Sequence, residues 1–407
     1  MKYIINLLKI SLISLITGVC GGIIGSLFHK AVEWATEIRH ANSYLIYLLP
    51  LSGLLIALIY RALRLKKDPG TNGVLCAARG EAEVPLTLGP SIFFGTIITH
   101  LFGGSAGREG AALQLGGTIG SLFSRALRLD RKIKPIIILS GMSAVFSALF
   151  GTPVTAVIFS IEVCLVGSIC HSALVPCLVS SYAGFFISTL FGNHPVRLEI
   201  LQVPTADIKT IIMTLVLGVA CGLLGIVFCK TMKGVHSFAE NKIENTYLRA
   251  FVGGIVIVAL TMLLGTKDYN GAGMDVVERA MKGQVIPYAF LLKIIFTSIT
   301  IGFGFKGGEI VPTIFIGSTF GCFLGGLLGL PASFGAGVGV AALFAAVTNC
   351  PLASLVLGIE VFGGGGFALF AAAIFVSTAI SGYTSLYKEQ RFTFSKEIYE
   401  TIDKKAD

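Results

Sequence analysis

Long apolar segments without charge, separated by clusters of glycine, set the pattern of this 407-residue chain. Residues 163–196, 310–359 and 361–387 contain no Asp, Glu, Lys or Arg. A helix that crosses a bilayer needs roughly 20 such residues, so the pattern predicts several membrane spans. We predict the first span at residues 3–28, because this apolar run is too long for the core of a cleaved signal peptide.

Other apolar segments are short and interrupted by glycine, at residues 86–103, 109–124, 136–149 and 153–166. Such segments at matching places in two halves of a chain are typical of transporters whose broken helices meet near the bilayer midplane. Backbone outside helices is tolerated at that depth only where it lines a cavity or is buried in protein. The pattern therefore predicts an all-α, polytopic membrane protein with broken and re-entrant helices.

The two halves of the chain carry similar motifs in the same order. Residues 103–117 align with residues 303–317 at an offset of 200, and residues 144–163 align with residues 342–361 at an offset of 198. Several matches at nearly one offset predict two inverted-topology repeats. We place the first repeat, the second repeat and a cytoplasmic carboxy-terminal tail at residues 1–200, 201–387 and 388–407.

Composition excludes an ordinary soluble protein, because only 13% of the residues are charged, against about a quarter in soluble domains. The net charge of +9 is concentrated at residues 61–68, at residues 124–134 and from Lys388 onward. Short basic loops beside membrane spans mark the cytoplasmic face. We therefore predict a multi-pass protein of the cell membrane with both termini in the cytoplasm, and no nucleic-acid partner.

Metal, cofactor and enzyme chemistry have no support in the sequence. The nine cysteines form no CxxC pair, and the six histidines are scattered without the spacing of metal ligands. Phosphate-binding GxxxxGK[ST], HExxH and GxSxG motifs do not occur. We predict buried, inert thiols, no metal or other cofactor, and no enzymatic activity.

Glu109 is the first candidate functional residue, since it follows a glycine-rich turn and opens a helix inside an apolar region. Helix N-termini carry free N–H groups and attract anions. A carboxylate in mid-bilayer costs about 2.5 kcal/mol or more, so a functional role is the default. Glu309 is placed in the same setting in the second half. The alternatives are structural ion pairs, with Arg108 for Glu109 and with Lys306 for Glu309; neighbouring helical residues do not face each other, which argues against the first pair.

Glu162 and Glu360 end apolar helices at equivalent places in the two halves. We expect them to cap or pack helices.

Four motifs, "GTNG" (70–73), "GREG" (107–110), "GGEIVP" (307–312) and "SLY" (385–387), resemble those of the CLC family of chloride channels and anion/proton antiporters. The segments "TPVTAVIFSIEV" and "CPLASLVLGIEV" are similar to helices at that family's dimer interface. The resemblance covers essentially the whole chain. It implies a CLC fold, a homodimer in the lipid bilayer, and one pore in each protomer.

The chain is most similar to the fluoride-exporting CLC-F branch. Asn72 stands in the first motif where chloride-type members usually have serine, and Ala111 follows "GREG" where they have proline. Glu309 enters the second-half motif, and Val163 follows Glu162 where chloride antiporters carry a second glutamate.

This resemblance implies a role for each matched residue. Glu109 would be the outer gate and proton acceptor, and Glu309 an inner pore glutamate. The anion-binding groups would be Asn72, Gly73, the pore tyrosine Tyr387, and the backbone amides of Gly110, Ala111, Glu309 and Ile310. Tyr383, one turn before Tyr387, is an alternative for the pore tyrosine.

The implied function is exchange of cytoplasmic fluoride for external protons. Fluoride accepts hydrogen bonds strongly, and the Asn72 amide offers two N–H donors where serine offers one. A simple loop role for Asn72 is the alternative. A chloride/proton antiporter or a voltage-gated-type chloride channel of the same fold is the alternative function.

Overall fold

Helices dominate the computed structural model, which describes residues 2–65 and 68–407. In these ranges the helices are α1 (Lys2–Ala41), α2 (Leu49–Ala62), α3 (Gly70–Ala78), α4 (Leu88–Leu101), α5 (Glu109–Ala126), α6 (Lys134–Phe150), α7 (Pro153–Glu162), α8 (His171–Leu190), α9 (Ile208–Lys242), α10 (Thr246–Leu264), α11 (Met274–Met281), α12 (Ala289–Gly302), α13 (Ile310–Leu327), α14 (Ala332–Thr348), α15 (Pro351–Phe362) and α16 (Phe367–Ile380). A 3₁₀ turn, Ser43–Leu48, precedes α2.

Six helices in the described ranges are long and apolar enough to cross a membrane, and the chain is a multi-pass membrane protein. The first of them, α1, contains the predicted first span at residues 3–28 and continues as a helix to Ala41. The predicted short segments are present as α4, α5, α6 and α7. They are therefore the broken helices that the glycine pattern indicated.

Three short strands supplement the helices, namely β1 (Leu165–Val166), β2 (Arg391–Phe394) and β3 (Thr401–Lys405). They form one sheet in the order β1-β2-β3, in which β1 and β2 are parallel and β2 and β3 antiparallel. The all-α prediction omitted them. The segment predicted as a tail is thus a hairpin that packs against the end of α7.

Glycines let the short helices pack backbone on backbone. A methyl group on Gly141 of α6 would collide with the carbonyl oxygen of Gly116 in α5, and one on Gly339 of α14 would collide with that of Gly317 in α13. Small residues permit this close approach between helices in membranes. The same close packing therefore recurs in both halves of the chain.

The equivalent helices α7 and α15 run in opposite directions. Glu162 at the end of α7 accepts a hydrogen bond from the N–H of Ala353 in the first turn of α15 (2.8 Å). Glu360, near the end of α15, accepts one from the N–H of Thr155 in the first turn of α7 (2.8 Å). Because each helix ends where its counterpart begins, the two repeats have inverted topology. The expected capping role of both glutamates is confirmed, and each caps the helix of the other repeat.

Candidate functional site

Two glycine-rich loops, one from each half of the chain, meet through Gly107 and Gly308. Each residue donates its N–H to the carbonyl of the other, and both N···O distances are 2.7 Å. This antiparallel bridge joins the loop before α5 to the loop before α13. The N-termini of α5 and α13, one from each half of the chain, therefore lie side by side.

The bridge corrects the alignment of the two halves. Arg108 precedes α5 and its carbonyl accepts the N–H of Ala112, whereas Glu309 precedes α13 and its carbonyl accepts the N–H of Thr313. The structural offset is therefore 201 here, and Glu309 is the counterpart of Arg108. The offset of 200 was wrong because it matched identical letters, while backbone hydrogen bonds set the register.

Free backbone donors collect at the two helix starts. The N–H groups of Glu109, Gly110 and Ala111 in α5 have no intrahelical acceptor, and neither do those of Ile310 and Val311 in α13. The two helix dipoles add positive potential at the same place. The arrangement is suited to a small anion or to a carboxylate.

Glu109 is 1% exposed and its carboxylate is turned toward the loops. Its Oε2 accepts a hydrogen bond from the N–H of Arg108 (2.9 Å), and its Oε1 lies 3.6 Å from the Arg108 Nε. The expectation that these neighbours would not face each other was wrong, because Arg108 lies outside the helix. The Glu109 Oε1 has no hydrogen-bond partner in the described ranges.

Glu309 reaches toward the helix of the first half. Its Oε2 would lie 3.1 Å from a methyl group placed on Gly110, and this oxygen accepts no hydrogen bond from the described residues. Lys306, the alternative partner, instead binds Asp68 with an Nζ···Oδ2 distance of 2.7 Å and lies over the ring of Tyr60. The alternative of a Glu309–Lys306 ion pair is therefore not observed.

Asn72 and Gly73 lie in the first turn of α3, not in a loop. Thr71 places this turn beside the site, because its hydroxyl donates to the carbonyl of Gly110 at 3.5 Å. The Asn72 Oδ1 accepts a hydrogen bond from the N–H of Glu389 (3.1 Å). The acceptor end of the Asn72 amide is thus occupied by main chain from the carboxy-terminal segment.

The two candidate tyrosines differ in their surroundings. Tyr387 is 2% exposed, and its hydroxyl has no partner in the part of the chain that the structure describes. The Tyr383 hydroxyl contacts the Ser395 Oγ (3.2 Å) and accepts from the N–H of Lys396 (3.0 Å). Tyr383 thus belongs to the carboxy-terminal hairpin, and Tyr387 is the one with an available buried hydroxyl.

A cavity of about 510 Å³ opens onto Glu109. Arg108, Glu109 and Val311 line it at the helix starts. The rest of its charged lining is mixed, with the basic Arg39 and Lys267 beside the acidic Glu33, Glu37, Asp268 and Asp275. The cavity therefore gives access to Glu109 without a lining of one sign of charge.

A polar face of α12, which was not among the predicted site residues, supports the loops. The fully buried Lys293 donates from its Nζ to the carbonyl of Gly271 at 2.7 Å. Thr297 contacts the hydroxyl of Ser105 (3.0 Å), and the Thr300 Oγ1 accepts the Ser105 N–H (3.0 Å). Polar residues at spacings of four and three in an otherwise apolar helix were the available signal.

An equivalent contact joins α4 of the first half to the loop before α13 in the second half. The Thr99 Oγ1 of α4 accepts the N–H of Lys306 at 3.2 Å, as Thr300 does for Ser105. Each loop of the site is therefore held by a threonine from the other half.

Metal ligands do not cluster among the described residues. The nine cysteines are free thiols; Cys170 is exposed, Cys20 and Cys76 are half-buried and the other six are buried. The prediction of buried thiols was therefore wrong for these three.

Residues 52–382 match the model of the voltage-gated chloride channel family. A chloride/fluoride channel protein of Pseudomonas syringae pv. tomato is 33% identical, covering 92% of this chain and 84% of its own. The H(+)/Cl(-) exchange transporter ClcA of Cronobacter sakazakii is 26% identical over 87% of this chain and 82% of its own.

Solved structures agree with these matches. A CLC-type fluoride/proton antiporter is similar with a TM-score of 0.92 and 32% identity, over 95% of this chain and 99% of its own. A slow cyanobacterial Cl-/H+ antiporter has a TM-score of 0.77 at 20% identity, over 92% of this chain and 94% of its own, which shows the shared fold.

Proposed function

This chain belongs to the voltage-gated chloride channel family, and on that premise we propose that it is a fluoride/proton antiporter. It exports cytoplasmic fluoride and takes up external protons in exchange. The observation that carries this proposal is the meeting of two helix N-termini with a glutamate at each, the buried Glu109 and the half-buried Glu309.

Competition for the helix N-termini supplies the coupling. An ionised Glu109 occupies the positive end of the helices, and fluoride binds there when the carboxylate leaves. Protonation removes the charge of Glu109 and so favours its departure. Each proton that crosses is thereby linked to the entry of an anion, and Glu109 acts as outer gate and proton acceptor.

Fluoride selectivity comes from the number of hydrogen-bond donors. Fluoride is small and strongly hydrated, so the site must replace its water with N–H and O–H groups. The Asn72 amide, the Tyr387 hydroxyl and the first-turn amides of α5 and α13 provide them. Glu309 is the inner pore glutamate, and the proposed cradle consists of Asn72, Gly73, Gly110, Ala111, Glu309, Ile310 and Tyr387.

Topology and assembly complete the proposal. The protein lies in the cell membrane with both termini in the cytoplasm, as a homodimer with one pore in each protomer. Its repeats comprise residues 1–200 and 201–387, and residues 388–407 are cytoplasmic.

Reconstituted protein in liposomes tests the proposal. Vesicles loaded with fluoride should release it, while a pH electrode records proton uptake in the opposite direction. Chloride-loaded vesicles should show much slower flux. Equal fluxes of the two halides would favour the chloride/proton antiporter, and chloride flux without proton movement would favour a channel.

A further inference from the structure

Glu389 contacts one face of α3 with three different groups. Its N–H donates to the Asn72 Oδ1 (3.1 Å), its carbonyl accepts from the Arg79 Nη1 (2.7 Å), and its carboxylate accepts from the Cys76 Sγ (3.6 Å). Residues 72, 76 and 79 are spaced by four and three, so they share one helical face. A single residue of the carboxy-terminal segment therefore fixes the helix that carries Asn72.

The carboxy-terminal hairpin fixes Glu389 in turn. The Lys405 Nζ of β3 lies 2.6 Å from the Glu389 Oε2, and this hydrogen bond lowers the pKa of the Glu389 carboxyl group. Gln390 is fully buried and donates to the carbonyls of Val163 (3.0 Å) and Thr348 (2.6 Å), which lie at the ends of α7 and α14. The segment is thus anchored to both halves of the chain.

We propose that residues 387–407, which we name the carboxy-terminal clamp, orient the Asn72 amide and so contribute to anion selectivity. This inference rests on the proposed role of Asn72. An amide has an acceptor end that repels anions and a donor end that binds them. The Glu389 N–H occupies the acceptor end, which leaves the N–H₂ group for the anion. Glu389 and Lys405 are positioning residues, since they act through Asn72.

Two substitutions test the clamp in reconstituted full-length protein. Glu389→Ala removes the carboxylate that anchors the clamp, and Lys405→Met removes its partner from an exposed position. We expect the apparent KM for fluoride to rise about fivefold, the factor that corresponds to one ordinary hydrogen bond, with little change in turnover at saturation. The fluoride-to-chloride flux ratio should fall in parallel. Lys282→Met, which removes an exposed lysine after α11, is the control and should leave both quantities unchanged.

A double-mutant cycle separates positioning from general damage. In an Asn72→Ala background, Glu389→Ala should change neither the KM nor the flux ratio further. Equal losses in both backgrounds, or no loss in the wild-type background, would overturn the clamp. If Glu389→Ala fails to fold, Lys405→Met provides the same comparison.

The same variants keep the two proposals separable. A wild-type protein that moves only chloride refutes fluoride export, and the clamp is then judged by the KM for chloride. A wild-type protein that exports fluoride with a KM unaffected by either variant refutes the clamp alone.

Discussion

Glu162 and Glu360 exchange helix caps across the internal symmetry of the chain. Each carboxylate accepts hydrogen bonds from two N–H groups at the start of the other repeat's helix. Glu360 additionally accepts from the Thr155 hydroxyl (2.6 Å). The N–H groups at the start of α7 and of α15 are therefore hydrogen-bonded to the carboxylate at the end of the other helix.

Removing either cap should destabilise the fold by a similar amount. Glu162→Ala and Glu360→Ala each leave two first-turn N–H groups without an acceptor, which we expect to cost about 2 kcal/mol. Thermal unfolding in detergent measures the loss. Glu400→Ala, at an exposed position, is the control and should have no effect. Unchanged unfolding of either cap variant would contradict the exchange.

A methyl group on Gly308, at the bridge to Gly107, should abolish anion transport. The side chain of Gly308→Ala would collide with the backbone nitrogen of Gly110, so the contact between Gly107 and Gly308 must open. We expect a loss of stability of about 1–3 kcal/mol and no anion flux per folded protein. Gly326→Ala, within α13 and with open space around it, should be neutral or slightly stabilising. Normal flux in Gly308→Ala would rule out the bridge as the centre of the pathway.

Neutralising Glu109 should uncouple anion and proton movement. Glu109→Gln keeps the size of the side chain but removes its titration, so proton flux should disappear while folding stays intact. Glu33→Gln, at an exposed position in the same cavity, is the matched control and should retain exchange. Simultaneous fluoride and pH recordings from liposomes give the answer. Undiminished proton flux would exclude Glu109 from the mechanism.

Lys396 should make the free energy of unfolding depend on pH in the alkaline range. Burial lowers the pKa of this lysine from 10.5 to about 8, while its Nζ donates to the Asn349 Oδ1 and faces the Cys350 thiol and the Phe392 ring. Between pH 8 and 10.5 the unfolded chain binds more protons at this group than the folded chain, so stability contributed by Lys396 should rise with pH.

The measurement compares unfolding of the wild type and Lys396→Met across this pH range. The difference between the two proteins should shift in favour of the wild type as the pH rises above 8. A constant difference would show that Lys396 keeps an ordinary pKa.

Losing the buried ammonium of Lys293 should loosen the loops on one side of the site. Lys293→Met leaves the carbonyls of Tyr269 and Gly271 without their donor, at a cost of about 1–3 kcal/mol. Gly271 donates its N–H to the carbonyl of Gly104, so hydrogen exchange should increase at Gly271. Lys282→Met should leave that exchange unchanged. Unaltered protection of Gly271 in Lys293→Met would show that the ammonium does not support the loop.

The sequence predicted the helices correctly wherever apolar runs were long or ended at glycine. The short helices α4 to α7 were predicted for this reason, as was the helix start at Glu109. The carboxy-terminal strands were not predictable from local pattern, because β2 pairs with β1, more than two hundred residues earlier. Such pairing depends on tertiary contact, which has no local signature.

The sequence predicted the register and placement of the site residues less well. Matching letters aligned Glu309 with Glu109, whereas hydrogen bonding makes Glu309 the counterpart of Arg108. A simple loop role was the alternative for Asn72, whereas α3 begins at Gly70 and includes Asn72. The motifs and the family resemblance indicated the candidate residues, and only the backbone register determined how they face one another.

The direct backbone contacts of Gly116 with Gly141 and of Gly317 with Gly339 limit how the molecule can move. At these contacts neither helix has a side chain that could repack as one helix slides over its neighbour, so we expect each pair to move as one block. The two blocks meet through the Gly107–Gly308 bridge. Any rearrangement there is then left to the loops and side chains at the helix starts.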